Sequence, residues 1–280
     1  MNPDVETMDE TGVGEAVAWA ESEGWQPGLG DHRPFFAADP EGFFRSVTDG
    51  ETVATISVVR GSPDVAFVGL YIVAAELRGQ GLGKQLWDET LGRFEGLTLG
   101  LDAVPEQVAT YASEGFEPAY GNARFSAEAA DLPDPEPGSP IQPATSVPFE
   151  DLVAFDAGHY FGPRPDFLSQ WMNGEGRQGL VATNDGEITG FAASRPTSTG
   201  NRIGPFFAAN KDTARDLLLA LAGRLTGPIS VDAPEPNRNA FDLFTNLGME
   251  KSFPTTRMYR GPAPDLPLDR IYGITTLELG

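Results

Sequence analysis

Apolar residues along the chain recur alternately at strand and at helical spacing, and this pattern predicts an ordered series of elements. Val13–Glu23 carries apolar residues three and four positions apart, which predicts an amphipathic helix. Thr52–Val59 and Val65–Val73 are apolar and β-branched, and the short Gly-Pro turn between them predicts a hairpin. Helical spacing returns over Leu82–Phe94, and Leu97–Val104 is a further strand.

A glycine-rich turn, Arg78-Gly79-Gln80-Gly81-Leu82-Gly83-Lys84, separates the second hairpin strand from its helix. Its glycines allow a tight turn with inward-pointing N–H groups, and the helix start adds unpaired donors and a positive dipole end. Such a turn can bind an anion. The spacing differs from that of a Walker loop and from the dinucleotide-binding G-x-G-x-x-G. On these residues alone, the turn is either an anion site or a structural loop.

The second half of the chain repeats the order of the first. The corresponding predicted elements are a hairpin of Leu180–Ala182 with Ile188–Ser194, a strand over Arg202–Ala208, a helix over Thr213–Leu225, a strand over Ile229–Ala233 and a helical segment over Asn237–Met249. Between the halves, Ser126–Pro140 is rich in proline and acid and has no apolar period. The sequence therefore predicts domains over 1–125 and 148–280, joined by an extended linker over 126–147. The apolar C-terminal run is expected to pack on the second domain.

Composition narrows the class of protein and its partners. Of the 280 residues, 40% are hydrophobic and 10% aromatic, as in a globular protein. The formal net charge of −22 argues against nucleic acid and membrane as partners, since both require basic patches. An acidic surface with so few lysines is also typical of adaptation to high salt. Nothing in the sequence suggests export or membrane insertion, so a cytoplasmic location is expected.

Cysteine is absent, which removes disulfides, thiolate metal sites and acyl-cysteine intermediates from consideration. His32 and His159 are the only histidines, and neither lies in a pattern that suggests a metal site or a catalytic dyad. We therefore expect chemistry without a metal.

The glycine turn and the strand end before it, V-A-A-E-L followed by R-G-Q-G-L-G, resemble the acyl-coenzyme A loop of the GNAT N-acetyltransferases. That family's pattern is [QR]-x-x-G-x-[GA] after V-x-P-E-[YL], and Ala75 replaces its proline. The resemblance implies an α+β fold of two GNAT-like domains, each a central mixed, mostly antiparallel twisted sheet flanked by helices. It also implies that the cofactor pyrophosphate binds the loop amides of Arg78, Gly79, Gly81, Gly83 and Lys84, and that the pantetheine arm pairs with Ile72 and Val73. Arg78, Lys84 and Arg93 are candidate cations for the anionic cofactor.

A second stretch, A-T-Y-A-S-E-G-F over Ala109–Phe116, resembles the family's A-x-x-x-Y-x-x-x-G-[FY] helix. The resemblance implies that Tyr111 stabilises or protonates the departing thiolate, although a half-buried helix tyrosine would have the same pattern. The asparagine that the family often places seven residues earlier is Val104. In the second copy, Phe244 replaces the tyrosine and the connection A-A-N-K-D-T has no glycine, so that copy is expected to lack a cofactor site.

A proton acceptor is harder to assign from sequence. Asp102 lies on the strand beside the cofactor strand, and Asp31 lies in the Gly/Pro-rich loop E-G-W-Q-P-G-L-G-D after the first helix. Either could accept a proton directly, either could be a turn or capping residue, and water could take the role instead. By resemblance, that loop lines the acceptor pocket, so Trp25 either lines the pocket or packs beneath the loop.

These observations, together with the tail I-Y-G-I-T-T-L-E-L-G, resemble tandem GNAT proteins with an acetyltransferase-like C-terminal domain. The function implied is acetyl-CoA-dependent N-acetylation of a primary amine by direct attack in a ternary complex, with Tyr111 and Asp102 as catalytic residues. The acceptor would be a small-molecule or peptide amine, and a homodimer is compatible with the second copy. The alternative is a non-catalytic acyl-CoA-binding module, and O-acetylation or a longer acyl donor also fits the sequence.

Overall fold

The first half of the chain alternates strands and helices in the predicted order. Its elements in the computed structural model, which describes residues 4–136 and 140–280, are β1 (Asp4–Thr7), α1 (Glu10–Ser22), α2 (His32–Ala38), β2 (Phe43–Thr48), β3 (Glu51–Arg60), β4 (Val65–Val73), α3 (Leu82–Leu91), β5 (Thr98–Ala103), α4 (Val108–Ser113) and β6 (Glu117–Glu128). Asp9 starts α1 by accepting a hydrogen bond from the Gly12 amide at 2.9 Å. The helix buries Val13, Ala16 and Ala20. The predicted helix and hairpin are therefore confirmed.

The second half repeats this arrangement. Its elements are β7 (Ile141–Pro143), α5 (Phe149–Ala157), α6 (Pro165–Asn173), β8 (Gln178–Asn184), β9 (Glu187–Pro196), β10 (Asn201–Ala208), α7 (Lys211–Ala222), β11 (Pro228–Pro234), α8 (Arg238–Asn246), β12 (Glu250–Arg260) and β13 (Ile271–Gly273). Asn210 caps α7 through the Thr213 amide at 2.9 Å, and the leucines of that helix are buried against the sheet. This asparagine stands where the first half has its glycine turn.

The two sheets are joined into one by an exchange of strands. Across the described residues the order is β1-β2-β3-β4-β5-β12-β6-β11-β10-β9-β8-β7, and β13 pairs with β10 off this path. Strand β12, from the second half, lies between β5 and β6 of the first, and β6 pairs with β11 of the second. The predicted α+β class and its mixed sheets flanked by helices are confirmed, but each half supplies the last strand of the other half's sheet.

A buried cross-strand ion pair fastens each exchanged strand. Asp102 on β5 lies opposite Arg257 on β12, and Asp232 on β11 lies opposite Arg124 on β6. The shortest N–O distances are 2.7 Å for the first pair and 2.8 Å for the second. The repetition of this pair in both halves indicates that it belongs to the duplicated architecture.

The segment expected to be an extended linker is more ordered than its composition predicts. Ser126–Glu128 complete β6, Ala129 and Leu132 are buried, and Ile141–Pro143 form β7 against β8. Residues 137–139 of the predicted linker lie outside the described residues. The segment is ordered because β6 pairs with β11 and β7 pairs with β8, and its proline and acid content does not predict these pairings. The division into domains over 1–125 and 148–280 stays a prediction.

The C-terminal tail packs differently from the expectation. Its first part, β13, lies on β10 of the second half, but its end lies on β4 of the first half. Leu279 is buried in a core shared by both halves, together with Val13, Phe35 and Trp171. The tail therefore bridges the two halves instead of packing on the second domain alone.

Candidate active site

The first-half sheet opens between β4 and β5. These parallel strands pair only from Val65–Phe67 to Thr98–Gly100, and β4 continues beyond that point without β5. Leu70 has a left-handed φ of 45° at a register shift against β3, and its carbonyl accepts a hydrogen bond from Thr55 Oγ1 at 2.8 Å. The bulge and the split leave a wedge-shaped cleft along the free edge of β4.

The cleft has a volume of about 390 Å³. One wall is the β4 stretch Val68–Val73, which includes the predicted pantetheine residues Ile72 and Val73, and the opposite wall includes Leu101, Asp102 and Val104. Arg78 of the glycine turn lies at one end and Tyr111 of α4 also borders the cleft. The structure thus brings together the strand, the turn and the tyrosine that the sequence singled out.

The glycine turn has the backbone that its sequence predicts. Gly79 and Gly81 have φ values of 76° and 85°, and a Cβ at either position would point into open space. Gly83 has a different role, because a Cβ there would lie 2.7 Å from both the Tyr71 hydroxyl and a Val73 methyl. The turn can therefore present its amides outward while the start of α3 lies directly on β4.

Of the three candidate cations, Arg78 and Lys84 lie on the glycine turn and Arg93 lies away from it. Arg78 donates from Nε to the Val73 carbonyl at 3.0 Å and also pairs with Glu23, so it spans the edge of the cleft. Lys84 pairs with Asp88 and, at 3.5 Å, with Glu114. Arg93 packs over the Phe44 ring at 5.1 Å, beyond the C-terminal end of α3, and so does not lie at the turn.

Tyr111 lies in an aromatic cluster beside the cleft. Its ring is 5.4 Å from that of Trp87 and 6.3 Å from that of Phe116. Burial raises the pKa of Tyr111 to about 12, so the phenol keeps its proton at neutral pH. Tyr71 lines the same cleft, and burial also raises its pKa. Tyr71 is not apparent as a site residue from the sequence, because it lies within an apolar strand run.

Asp102 borders the cleft, but both of its oxygens are engaged. Arg257 donates to them from Nε at 2.9 Å and Nη2 at 2.7 Å, and Asn122 donates at 2.8 Å. Burial lowers the pKa of Arg257, but the Asp102 carboxylate outweighs this effect and raises that pKa well above its usual value. Burial raises the pKa of Asp102, and Arg257 acts in the opposite direction. The role of Asp102 as proton acceptor stays a prediction, and the geometry favours a strand anchor.

Asp31 does not line the cleft. It is fully buried, accepts from the Gly28 amide at 2.7 Å, and pairs with Arg177 at 2.6 Å and Arg195 at 3.1 Å. It therefore ties the loop after α1 to the second half. Trp25 from the same loop does line the cleft.

The second half has closed the equivalent opening. Strands β10 and β11 pair in parallel only from Asn201–Ile203 to Ile229–Val231, as β4 and β5 do. The tail then enters the gap: β13 pairs with β10, and the Ile274 amide donates to the Asp232 carbonyl of β11 at 2.9 Å. Phe244, at the tyrosine position, is fully buried. The tail thus occupies the gap that corresponds to the first-half cleft.

Comparison with known proteins identifies the family. Models of the acetyltransferase (GNAT) domain match residues 35–129 and 152–273. Holothin acyltransferase from Pseudoalteromonas sp. (strain SANK 73390) is 33% identical over 267 residues, covering 94% of this chain and 89% of that protein. The chain belongs to the GNAT acyltransferases. It carries two GNAT domains in tandem, as the sequence predicts, and it is an acyltransferase.

Solved GNAT structures share the whole architecture. A candidate acetyltransferase from Pyrococcus horikoshii has a TM-score of 0.83 at 19% identity, covering 100% of this chain and 96% of that chain. A tandem GNAT protein from the clavulanic acid biosynthesis pathway has a TM-score of 0.64 at 15% identity, covering 93% and 100%. At these identities the likeness concerns the fold.

The cleft and the glycine turn of the first GNAT copy have features that suit an acyl-CoA. The split of β4 from β5 leaves backbone groups of one strand edge facing a cleft, and the glycine turn at its end offers helix-start amides to a pyrophosphate. Within residues 4–136 and 140–280, no group of three or more His, Asp or Glu side chains is placed to hold a metal ion. In the same ranges, no helix has the length and apolar character needed to cross a bilayer.

One further cleft residue was missed from the sequence. Glu278, near the end of the tail, is 2% exposed and lines the cleft of the first copy. Its place among apolar residues in I-T-T-L-E-L-G is the one signal that could have pointed to it, because a lone carboxylate in an apolar run is seldom buried without a role.

Proposed function

We propose that this GNAT protein transfers the acetyl group of acetyl-CoA to a primary amine, which attacks the thioester directly in a ternary complex. The observation that carries the proposal is the cleft of the first copy, which extends along the split strand edge and is bordered by Arg78 of the glycine turn and by Tyr111. The bound donor supplies an activated thioester, and the chain supplies binding, orientation and proton transfer.

Each predicted cofactor-binding residue has a place in this proposal. The amides of Arg78, Gly79, Gly81, Gly83 and Lys84 bind the pyrophosphate, since the start of α3 offers unpaired N–H donors and a positive dipole end. The backbone of Ile72 and Val73 pairs with the pantetheine arm. Holding both substrates in line can contribute up to about 7–11 kcal/mol to catalysis.

Tyr111 is the proposed proton donor to the departing sulfur. Tyr111 borders the cleft, and its pKa of about 12 keeps its hydroxyl protonated until a thiolate forms nearby. Because Phe244 occupies the equivalent position of the second copy and β13 fills that cleft, one active site per chain is proposed. The identity of the amine, whether small molecule or peptide, a homodimer and the cytoplasmic location stay predictions.

Calorimetric titration with acetyl-CoA tests this proposal. Gly81→Glu places bulk and negative charge at the turn, while Gly186→Glu is the matched control, since its glycine has a φ of 87°, open space around it and a place on the β8–β9 hairpin. We expect one site per chain in the wild type and in Gly186→Glu, and none in Gly81→Glu. Two sites would contradict the closed second copy, and no binding by the wild type would refute the proposed function.

A further inference from the structure

The C-terminal tail connects the two clefts of the chain. After β13 it leaves the gap between β10 and β11 and reaches β4 in the first half. At each end the tail packs against a glycine. A Cβ at Gly204 would lie 2.4 Å from the Ile274 carbonyl oxygen, and a Cβ at Gly69 would lie 2.1 Å from the Glu278 carbonyl oxygen. The tail backbone therefore lies directly on both split strands.

The end of the tail is held rigidly. Thr276 Oγ1 accepts hydrogen bonds from the Glu278 and Leu279 amides at 3.1 and 2.9 Å, forming a local turn. Tyr160 donates to the Leu279 carbonyl at 2.9 Å, and Arg164 donates to Thr275 Oγ1 at 2.8 Å. These contacts fix the backbone on both sides of Glu278, so its side chain has a defined position.

Glu278 differs from the other carboxylates of the cleft. Glu23 pairs with Arg78, and Asp102 pairs with Arg257. Within the described part of the chain, Glu278 has no salt-bridge partner, and its Oε2 is buried without a hydrogen-bond partner. A buried carboxylate oxygen that has no partner, in a residue that lines a cleft, is suited to receive a proton or a polar group of a ligand.

We infer that Glu278, delivered by the second half, is the proton acceptor for the amine at the active site of the first half. This inference rests on the proposed function and adds to it the residue that activates the acceptor. It also assigns a role to the second copy, because the tail that closes the second-half cleft continues into the first-half cleft.

The Glu278 carboxylate takes a proton from the ammonium form of the acceptor, freeing the nitrogen lone pair. That lone pair forms the N–C bond, the C–S bond breaks with its electron pair going to sulfur, and Tyr111 gives the sulfur its phenolic proton. The second nitrogen proton restores Tyr111 through solvent, and Glu278 releases its proton to solvent. The net products are the amide, coenzyme A as its thiol and one proton.

The charges around Glu278 support this role. Burial raises the pKa of Glu278 above its usual value, Arg202 and Arg195 act in the opposite direction, and Asp31 adds to the increase. Arg202 pairs with Asp232 and Arg195 pairs with Asp31, at 3.0 and 3.1 Å, while Arg202 Nε is buried without a hydrogen-bond partner. The carboxyl is therefore more basic than an exposed glutamate, as a general base requires.

The test compares wild type with Glu278→Gln, an isosteric change that removes the charge. Asp269→Asn is the matched control, because it makes the same charge change at an exposed position just before the tail. Turnover of acetyl-CoA is followed by release of thiol with hydroxylamine and with methylamine as the probe acceptors. Since the chain has no cysteine, a thiol reagent detects coenzyme A alone.

We expect Glu278→Gln to bind acetyl-CoA as the wild type does and to lose about 10²–10⁴-fold in kcat. The decrease of wild-type kcat at low pH should disappear in the variant, and Glu278→Asp should restore part of the rate. Neither effect is expected of a residue that only packs the tail. Asp269→Asn should match the wild type in both respects.

Two results would overturn the inference without touching acyl-CoA binding. One is an unchanged kcat and pH profile in Glu278→Gln. The other is a wild-type protein that binds acetyl-CoA but releases no thiol above the buffer rate with either probe. Absence of acetyl-CoA binding by the wild type would instead refute the proposed function on which the inference rests.

Discussion

Replacing Asp102 by asparagine separates two roles for this carboxylate, strand anchor and proton acceptor. Asp102 accepts three hydrogen bonds of 2.7 to 2.9 Å from Arg257 and Asn122, and the side chains of the ion pair are 0% and 2% exposed. The variant leaves the Arg257 guanidinium buried against an uncharged amide. Breaking a buried pair in this way costs about 3–5 kcal/mol. For a chain of this size, that loss lowers Tm by roughly 10 °C.

Asp232→Asn is the matched control for this variant. Asp232 fastens the other exchanged strand through Arg124, and it also pairs with Arg202 at 3.0 Å. It lies outside the first-half cleft. If Asp102 is an anchor, both variants should lose stability, and Asp102→Asn should keep turnover per folded molecule close to that of the wild type.

Thermal unfolding followed by circular dichroism measures the stability, and thiol release well below both Tm values measures the turnover. A loss of about 10²–10⁴-fold in kcat for Asp102→Asn, without a comparable loss for Asp232→Asn, would show that Asp102 is the base. That result would refute the assignment of the role to Glu278. An unchanged Tm in Asp102→Asn would refute the anchor.

Two further changes test other parts of the site and the fold. Tyr111→Phe should lower kcat while leaving acetyl-CoA affinity unchanged in calorimetry, because the ring packing remains and only the proton donor is lost; unchanged turnover would remove its acid role. Burial lowers the pKa of His159, whose ring stacks on Phe207, so the folded chain binds this proton less readily than the unfolded chain. Stability should therefore fall as pH decreases through about 6.5, and His159→Gln should reduce that fall in urea titrations; an identical pH dependence would contradict it.

The parts of the site that could be predicted from sequence are local in the chain. The hairpin, the glycine turn and the helix after it follow from residue spacing over 52–94, because strand pairing, turn and helix there involve consecutive residues. Tyr111 was found by its distance from Gly115, which has the left-handed φ of 86° that ends its helix. Each of these patterns can be recognised without knowledge of the rest of the fold.

The strand exchange could not be predicted in the same way. The apolar pattern of β6 and β12 suits pairing with either half equally well. The alternation of apolar and polar residues therefore does not decide whether each of these strands pairs with β5 or with β11. The partner of Asp102 is therefore hidden, since Arg257 lies 155 residues away. Without that partner, an aspartate at the edge of the cleft is a reasonable candidate for the base, and with the partner the geometry favours an anchor.

The tail links the two clefts structurally, because the same segment lies on a strand of each. In the second copy β13 pairs with β10 in the gap beside β11, and the residues that follow place Glu278 on β4. Reopening the second cleft would require the tail to leave, and a displaced tail would withdraw the carboxylate from the first. Under the proposed function, the closing of the second cleft and the completion of the first are thus consequences of one backbone path. A duplicated fold with an exchanged sheet can keep a copy that binds no cofactor, because that copy still holds a reacting group in place.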